Sequence, residues 1–239
     1  MKILKITLCL AIALALASCS KKKDDSTPVA PNVVKPTIFT NAKAVTVPTK
    51  LETSTDTYAK MCNSYVDMAN NLSAYSAYFN VPAGATEVST KSSSTSSIKT
   101  YTYSYGTWII YYVLEETSDK YIWTIYYTYA AEGITKGKYL SAEQSKDGKI
   151  GSLIWYNPSE NVEVGRYVWQ TLVDGTFNFK VIYAGLLIEL NVKSDKSGTL
   201  DYTYNEALLY HFQWAIDGSG SWILYSGGVE YQSGTWTAK

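Results

Sequence analysis

Metal and acid–base chemistry have little to draw on in this chain, which holds one histidine, His211, one arginine, Arg166, and three cysteines among 239 residues. A multi-histidine zinc site is thereby excluded, and a Ser-His-Asp arrangement would have to use His211. Clustered positive charge is also missing: Lys+Arg and Asp+Glu stand at 21 each, which disfavours a nucleic-acid binder. There is no glycine-rich phosphate loop, dinucleotide fingerprint, CxxC pair or Asp-x-Asp-x-Asp calcium loop, so no cofactor and no metal are expected. Proline is scarce, at six residues, and four of these (Pro28, Pro31, Pro36 and Pro48) fall before Lys50. Low charge, at 18%, with 46% hydrophobic residues is the opposite of a disordered composition. No apolar run reaches the roughly 20 residues a membrane-spanning helix needs.

The run that comes nearest, Ile6 to Ala17, follows the cationic start Met1-Lys2-Ile3-Leu4-Lys5 and has the dimensions of a signal peptide. It ends in Leu16-Ala17-Ser18-Cys19, which resembles the lipobox of bacterial lipoproteins. The resemblance implies cleavage between Ser18 and Cys19 and lipidation of Cys19, so that the membrane is a partner through an N-terminal anchor. Ser20 stands where an inner-membrane retention aspartate would be, and Lys23-Asp24-Asp25 looks like a short acidic export signal, so the outer membrane is the expected address, with exposure at the cell surface as its extension. Cys9 leaves with the signal and Cys19 takes the lipid, leaving Cys62 alone and no intrachain disulfide to form. Loss of Lys2 and Lys5 leaves 19 positive against 21 negative charges. The expected organisation is a signal at 1–18, a Pro-containing tether at 19–52 and one domain at 53–239.

Within that domain, Thr53-Ser54-Thr55-Asp56 supplies capping groups for a helix whose apolar stripe is Tyr58, Met61, Cys62, Tyr65, Met68, Ala69, Leu72, Tyr75 and Phe79. Asn80-Val81-Pro82-Ala83-Gly84 ends it. Cys62 lies on the stripe and reads as a small buried hydrophobe. Ser89 to Ser97 reads as a low-complexity loop. Beyond Ile98 the apolar runs are short, rich in Val, Ile, Tyr, Trp and Thr, and bounded by Gly, Asp, Asn or Ser, the marks of strands. Asp174-Gly175 separates two of them in the manner of a type I′ hairpin. Connections this short demand antiparallel neighbours. The expected fold is mainly β: an antiparallel meander of about 11–12 strands forming a closed or half-closed barrel, with one amphipathic helix packed on it. A transmembrane barrel is disfavoured by that helix, by Lys and Glu within the strands and by the polar end Thr237-Ala238-Lys239.

Among chemical groups, His211 lies between aromatic residues and reads as a packed strand histidine, while Glu115, Glu189, Glu206 and Glu230 are generic candidates for a carboxylate pair. A non-enzymatic protein is the expectation. The largest investment is aromatic: 22 tyrosines and seven tryptophans, with every tryptophan after Ile98. The order of elements over 53–239 resembles the lipoprotein-carrier half-barrel family, in which a helix covers the mouth of a curved sheet and the cavity holds acyl chains. That family also has helical segments between strands, which this sequence lacks. The primary expectation is binding of an apolar or amphipathic ligand by the aromatic-rich sheet. The alternatives are a glycan stacking on exposed rings such as Trp155, Trp169 or Trp222, and a structural or protein-interaction subunit of a cell-envelope complex.

Overall fold

The computed structural model describes residues 45–237. Cys19, the signal and the basic cluster Lys21-Lys22-Lys23 lie outside the described residues. A short helix, α1 (Thr49–Glu52), precedes the main helix, α2 (Thr57–Asn70), which runs on as a 3-10 helix over Asn71–Phe79. Asp56 caps α2, its Oδ1 accepting from the backbone N–H groups of Tyr58 and Ala59 at 2.8 and 3.1 Å. Those are two of the four donors a helix start leaves without partners. Seven residues apart, and so on one helix face, Asn63 and Asn70 hold the preceding segment. Asn63 Nδ2 donates to Leu51 O, and Asn70 both accepts from Val45 N–H and donates to Val45 O.

Thirteen strands follow: β1 (Thr86–Ser92), β2 (Ser96–Tyr105), β3 (Trp108–Thr117), β4 (Lys120–Tyr129), β5 (Ile134–Ser145), β6 (Ile150–Asn157), β7 (Val162–Thr171), β8 (Phe177–Tyr183), β9 (Leu186–Val192), β10 (Gly198–Tyr204), β11 (Ala207–Trp214), β12 (Gly220–Ser226) and β13 (Val229–Trp236). Each pairs antiparallel with its neighbours in sequence, giving one meander sheet in the order β1 to β13. The sheet is not closed. β1 pairs only with β2 and β13 only with β12, so the closed form of the expected barrel is set aside.

Two other local expectations change. β1 and the start of β2 occupy the serine-rich stretch expected as a loop; every residue of β1 is exposed, so no apolar alternation marks it. The Asp174-Gly175 hairpin is wider than two residues. Leu172 N–H donates to Thr176 O, and only Gly175, at φ +83°, has the left-handed conformation, whereas a type I′ turn needs two such residues.

α2 and its 3-10 extension lie across one face of the sheet. Tyr58 stacks on Trp222 of β12 at 4.1 Å between centroids, Tyr75 meets the edges of Trp155 and Tyr167 on β6 and β7, and Phe79 meets Trp123 on β4. From Tyr58 to Phe79 the helical segment rises about 36 Å, and eight strand spacings, β12 to β4, measure about 38 Å along the sheet. All nine residues of the stripe read from the sequence belong to the core or pack against it. In the 3-10 part the stripe tightens to Leu72, Tyr75 and Tyr78, the three-residue spacing at which 3-10 side chains eclipse.

Below the helix, a register line of the inner face reads Trp169, Phe179, Leu190, Leu200, Phe212 and Trp222 on six consecutive strands from β7 to β12. A second device recurs at one end of the sheet. Trp169, Trp214 and Trp236 each lie over the glycine paired with them, Gly151, Gly198 and Gly220, where an added Cβ would run into the indole. The same indoles donate to the carbonyls of Gly148, Lys196 and Gly218, each the left-handed residue of the preceding turn.

Candidate functional site: the uncovered face of the sheet

The residues singled out from the sequence divide between the two faces. Trp169 is 1% exposed and Trp222 9%, both beneath the helix, and Trp155 is wedged between Tyr75 and Tyr167. Trp169 and Trp222 are therefore core and offer no open stacking face to solvent, while the half-buried Trp155 packs against that core. Cys62 is fully buried, and loss of hydration pushes its thiol far above the ordinary range. Burial likewise raises Tyr112 to about 12 and raises Tyr167, whose hydroxyl also meets that of Tyr75 at 3.4 Å. Of the candidate acids, Glu115 and Glu189 lie on one register line but on β3 and β9, six strands apart, while Glu206 sits in the β10–β11 turn at φ 66° and Glu230 on the edge strand β13. They do not meet.

What the sequence did not disclose is how the opposite face is ordered. Among the described residues nothing packs on it. One register line across β7 to β13 carries Gln170, Asn178, Asn191, Thr199, Gln213, Ser221 and Thr235, seven uncharged hydrogen-bonding side chains in succession. At the usual strand spacing this ladder is about 29 Å long. Asn191 Nδ2 reaches Thr199 Oγ1 at 3.5 Å. The neighbouring line holds Lys180, Glu189, Asp201 and His211 on β8 to β11, with Lys180 Nζ 2.5 Å from Glu189 and His211 Nδ1 2.6 Å from Asp201. Glu189 and Asp201 are thus direct cross-strand neighbours, the first beside Lys180 and the second beside the His211 imidazole. Such like-charged neighbours repel when unpaired, and the flanking Lys180 offsets that.

Nearer the other edge the same face becomes aromatic and cationic. Tyr111 and Tyr126 pair across β3–β4, and Tyr126 pairs with Lys138 of β5. Lys136 Nζ lies 5.4 and 5.8 Å from the centroids of Tyr111 and Tyr126, and Lys138 Nζ lies 4.2 Å from that of Tyr156 while donating to its hydroxyl at 3.1 Å.

The turns at the sheet end beside α1 carry a further set of acids. Asp147, Asp174, Asp195 and Asp217 each accept from the backbone N–H two residues on, a self-closing Asx turn. These bonds, with serine or threonine hydroxyls, hold their carboxyls below the usual range, Asp147 at about 2. Two open clefts lie between such turns, one of about 530 Å³ lined by Asp119, Lys146, Asp147 and Leu172, the other of about 480 Å³ lined by Lys50, Asp195, Lys196 and Asp217. Both are shallow, and neither leads beneath the helix. Among the described residues no group of three or more His, Cys, Asp or Glu is placed to hold a metal ion, and no helix is long and apolar enough to cross a membrane. Compared with protein-family models and with curated proteins, the chain matches none.

Proposed function

We propose that this chain is a lipid-anchored cell-envelope protein that binds rather than catalyses, and that its ligand is a glycan laid across the uncovered face of the sheet. The anchor rests on Leu16-Ala17-Ser18-Cys19, and an outer-membrane position on Lys23-Asp24-Asp25. The observation that carries the glycan reading is the ladder from Gln170 to Thr235. Sugars present alternating donors and acceptors along an extended chain, and amide and hydroxyl side chains can serve as either. The apolar-ligand reading draws less support, because the inner aromatic residues are engaged with the helix: an acyl chain would have to displace Tyr58, Tyr75 and Phe79 from the rings they pack on.

The test is affinity electrophoresis of the full-length chain, in detergent, through gels containing a panel of soluble polysaccharides. Retardation by at least one, and its loss in Asn178→Ala/Gln213→Ala, is the expected result. Migration unchanged across the panel, with lipid found co-purifying instead, would sink the reading in favour of an apolar ligand.

A further inference from the structure

Resting on the glycan reading, we propose that the ligand is an acidic polysaccharide whose carboxylates dock on Lys136 and Lys138. Along β4 to β11 of the uncovered face the other lysine and arginine side chains of the strands each have a carboxylate: Lys120 with Glu143, Arg166 with Glu163, and Lys180 with Glu189. Lys136 and Lys138 do not, among the described residues. Their ammonium groups are held by tyrosine rings, which attract a cation through their quadrupole yet carry no net charge to cancel it. The positive charge is therefore positioned and still available.

The backbone shows that this placement is built in. β5 loses regular register with β4 here, with shifts between Ile125 and Tyr126 and between Tyr127 and Tyr129. Lys136 takes φ 50°, and its N–H donates to Thr128 Oγ1, while Lys138 N–H donates to Asn161 Oδ1. Bulged strands re-aim side chains, and here the lysines on either side of Gly137 are both brought onto tyrosines. Gly137 has no room for a side chain, because a Cβ would meet the carbonyl of Pro158.

The surroundings favour a sugar polymer over other anions. A membrane surface is read by clusters of about four to eight basic residues, and this patch has two. An extended acidic peptide would add to a sheet edge rather than lie on a face. A uronate chain presents carboxylates for the two ammonium groups and hydroxyls for the half-buried Tyr156, whose own hydroxyl already accepts from Lys138.

Full-length protein in detergent is run through gels containing polygalacturonate or its methyl-esterified form, which has the same backbone without the charge. The expected result is binding to polygalacturonate that weakens roughly tenfold or more on methyl esterification and similarly in Lys136→Gln/Lys138→Gln, since charge-assisted hydrogen bonds to both groups are lost. Circular dichroism checks that the variant is folded. Equal retardation by charged and esterified polymers overturns the acidic-ligand inference and leaves the glycan reading standing. No retardation by either polymer or by any neutral polysaccharide overturns both, and capture of the protein by phosphatidylglycerol vesicles in that case assigns the patch to a membrane surface.

Discussion

Gly198→Ala replaces a hydrogen by a methyl group at a place where the structure has no room for it. Gly198 faces Trp214 directly across β10–β11, and a Cβ there would sit 2.8 Å from Trp214 Cη2, with Cζ2 and the carbonyl of Asn191 nearer still. Carbon atoms at rest are about 3.5–4.0 Å apart, so the indole must retreat by about 1 Å or more. Trp214 is 1% exposed, and its Nε1–H donates to Lys196 O at 2.8 Å, a bond that such a retreat stretches past useful length. Overpacking typically costs 1–3 kcal/mol and an abandoned buried donor about 1–3 kcal/mol, so a loss of about 3 kcal/mol is expected. Gly106→Ala is the control: its φ of +57° strains any L residue, by about 1 kcal/mol, but no atom lies within 4 Å of the new Cβ. Urea unfolding followed by tryptophan fluorescence reads the difference, with a midpoint lowered by about 1.5 M at an m-value of about 2 kcal/mol/M. A loss at Gly198 no larger than that at Gly106 would refute the claim that the glycine–indole contact is a packing requirement.

Lys196 is the one non-glycine among the left-handed residues of the turns ending β7, β9 and β11, at φ 73°. Lys196→Gly relieves that strain while loosening the unfolded chain, and a net gain of about 0.5 kcal/mol in urea unfolding is expected, with any loss counting against it. The turn aspartates have carboxyls depressed in the folded state, so their contribution is complete above the unfolded value, about 3.9, and disappears as pH falls towards the folded one, about 2 for Asp147. Stability measured by urea should thus fall between roughly pH 4 and 2, less steeply in Asp147→Asn; identical slopes would contradict the assignment. Cys62, buried and with its thiol pushed up, should resist a thiol-specific disulfide reagent at pH 8 until denaturant is added, and rapid labelling of the native protein would show the helix to be undocked.

The helix was legible because one stripe of nine residues at helical spacing meets one surface, although its change to a 3-10 helix after Asn70 was not. Most strands were legible for a similar reason, being β-branched and aromatic runs between turn residues. β1 was not, since Thr86–Ser92 touches solvent on both faces and carries no alternation. The tryptophans misled because abundance says nothing about side: assigning Trp169 or Trp222 to a face requires knowing that the helix covers that face. The ladder needed register, and the shifts at Trp155/Tyr156, Tyr202/Thr203 and Leu224/Tyr225 break any count made along the chain alone. A trace of it was present nevertheless. Aligning the segments that begin at Asp174, Asp195 and Asp217 puts Asn178, Thr199 and Ser221 four residues after each aspartate, and puts Gln213 and Thr235 just before Trp214 and Trp236.

Because every strand pairs only with its neighbours in sequence, the sheet can be zipped hairpin by hairpin, each closing a short loop. Docking of the helix is a different matter. Its first ring, Tyr58, rests on Trp222, 164 residues later, while its last, Phe79, rests on Trp123, only 44 later. A chain synthesised from its N-terminus therefore presents the helix first and completes the seat for it almost last. Until β12 emerges, the Tyr58 end of the stripe lacks its Trp222 seat, and for that interval the nascent protein carries an exposed aromatic helix end of the kind that chaperones grasp. The arrangement couples the end of synthesis to the end of folding, so that a chain truncated before β12 should keep its earlier strands and the Phe79 end of the helix docked while the Tyr58 end comes loose.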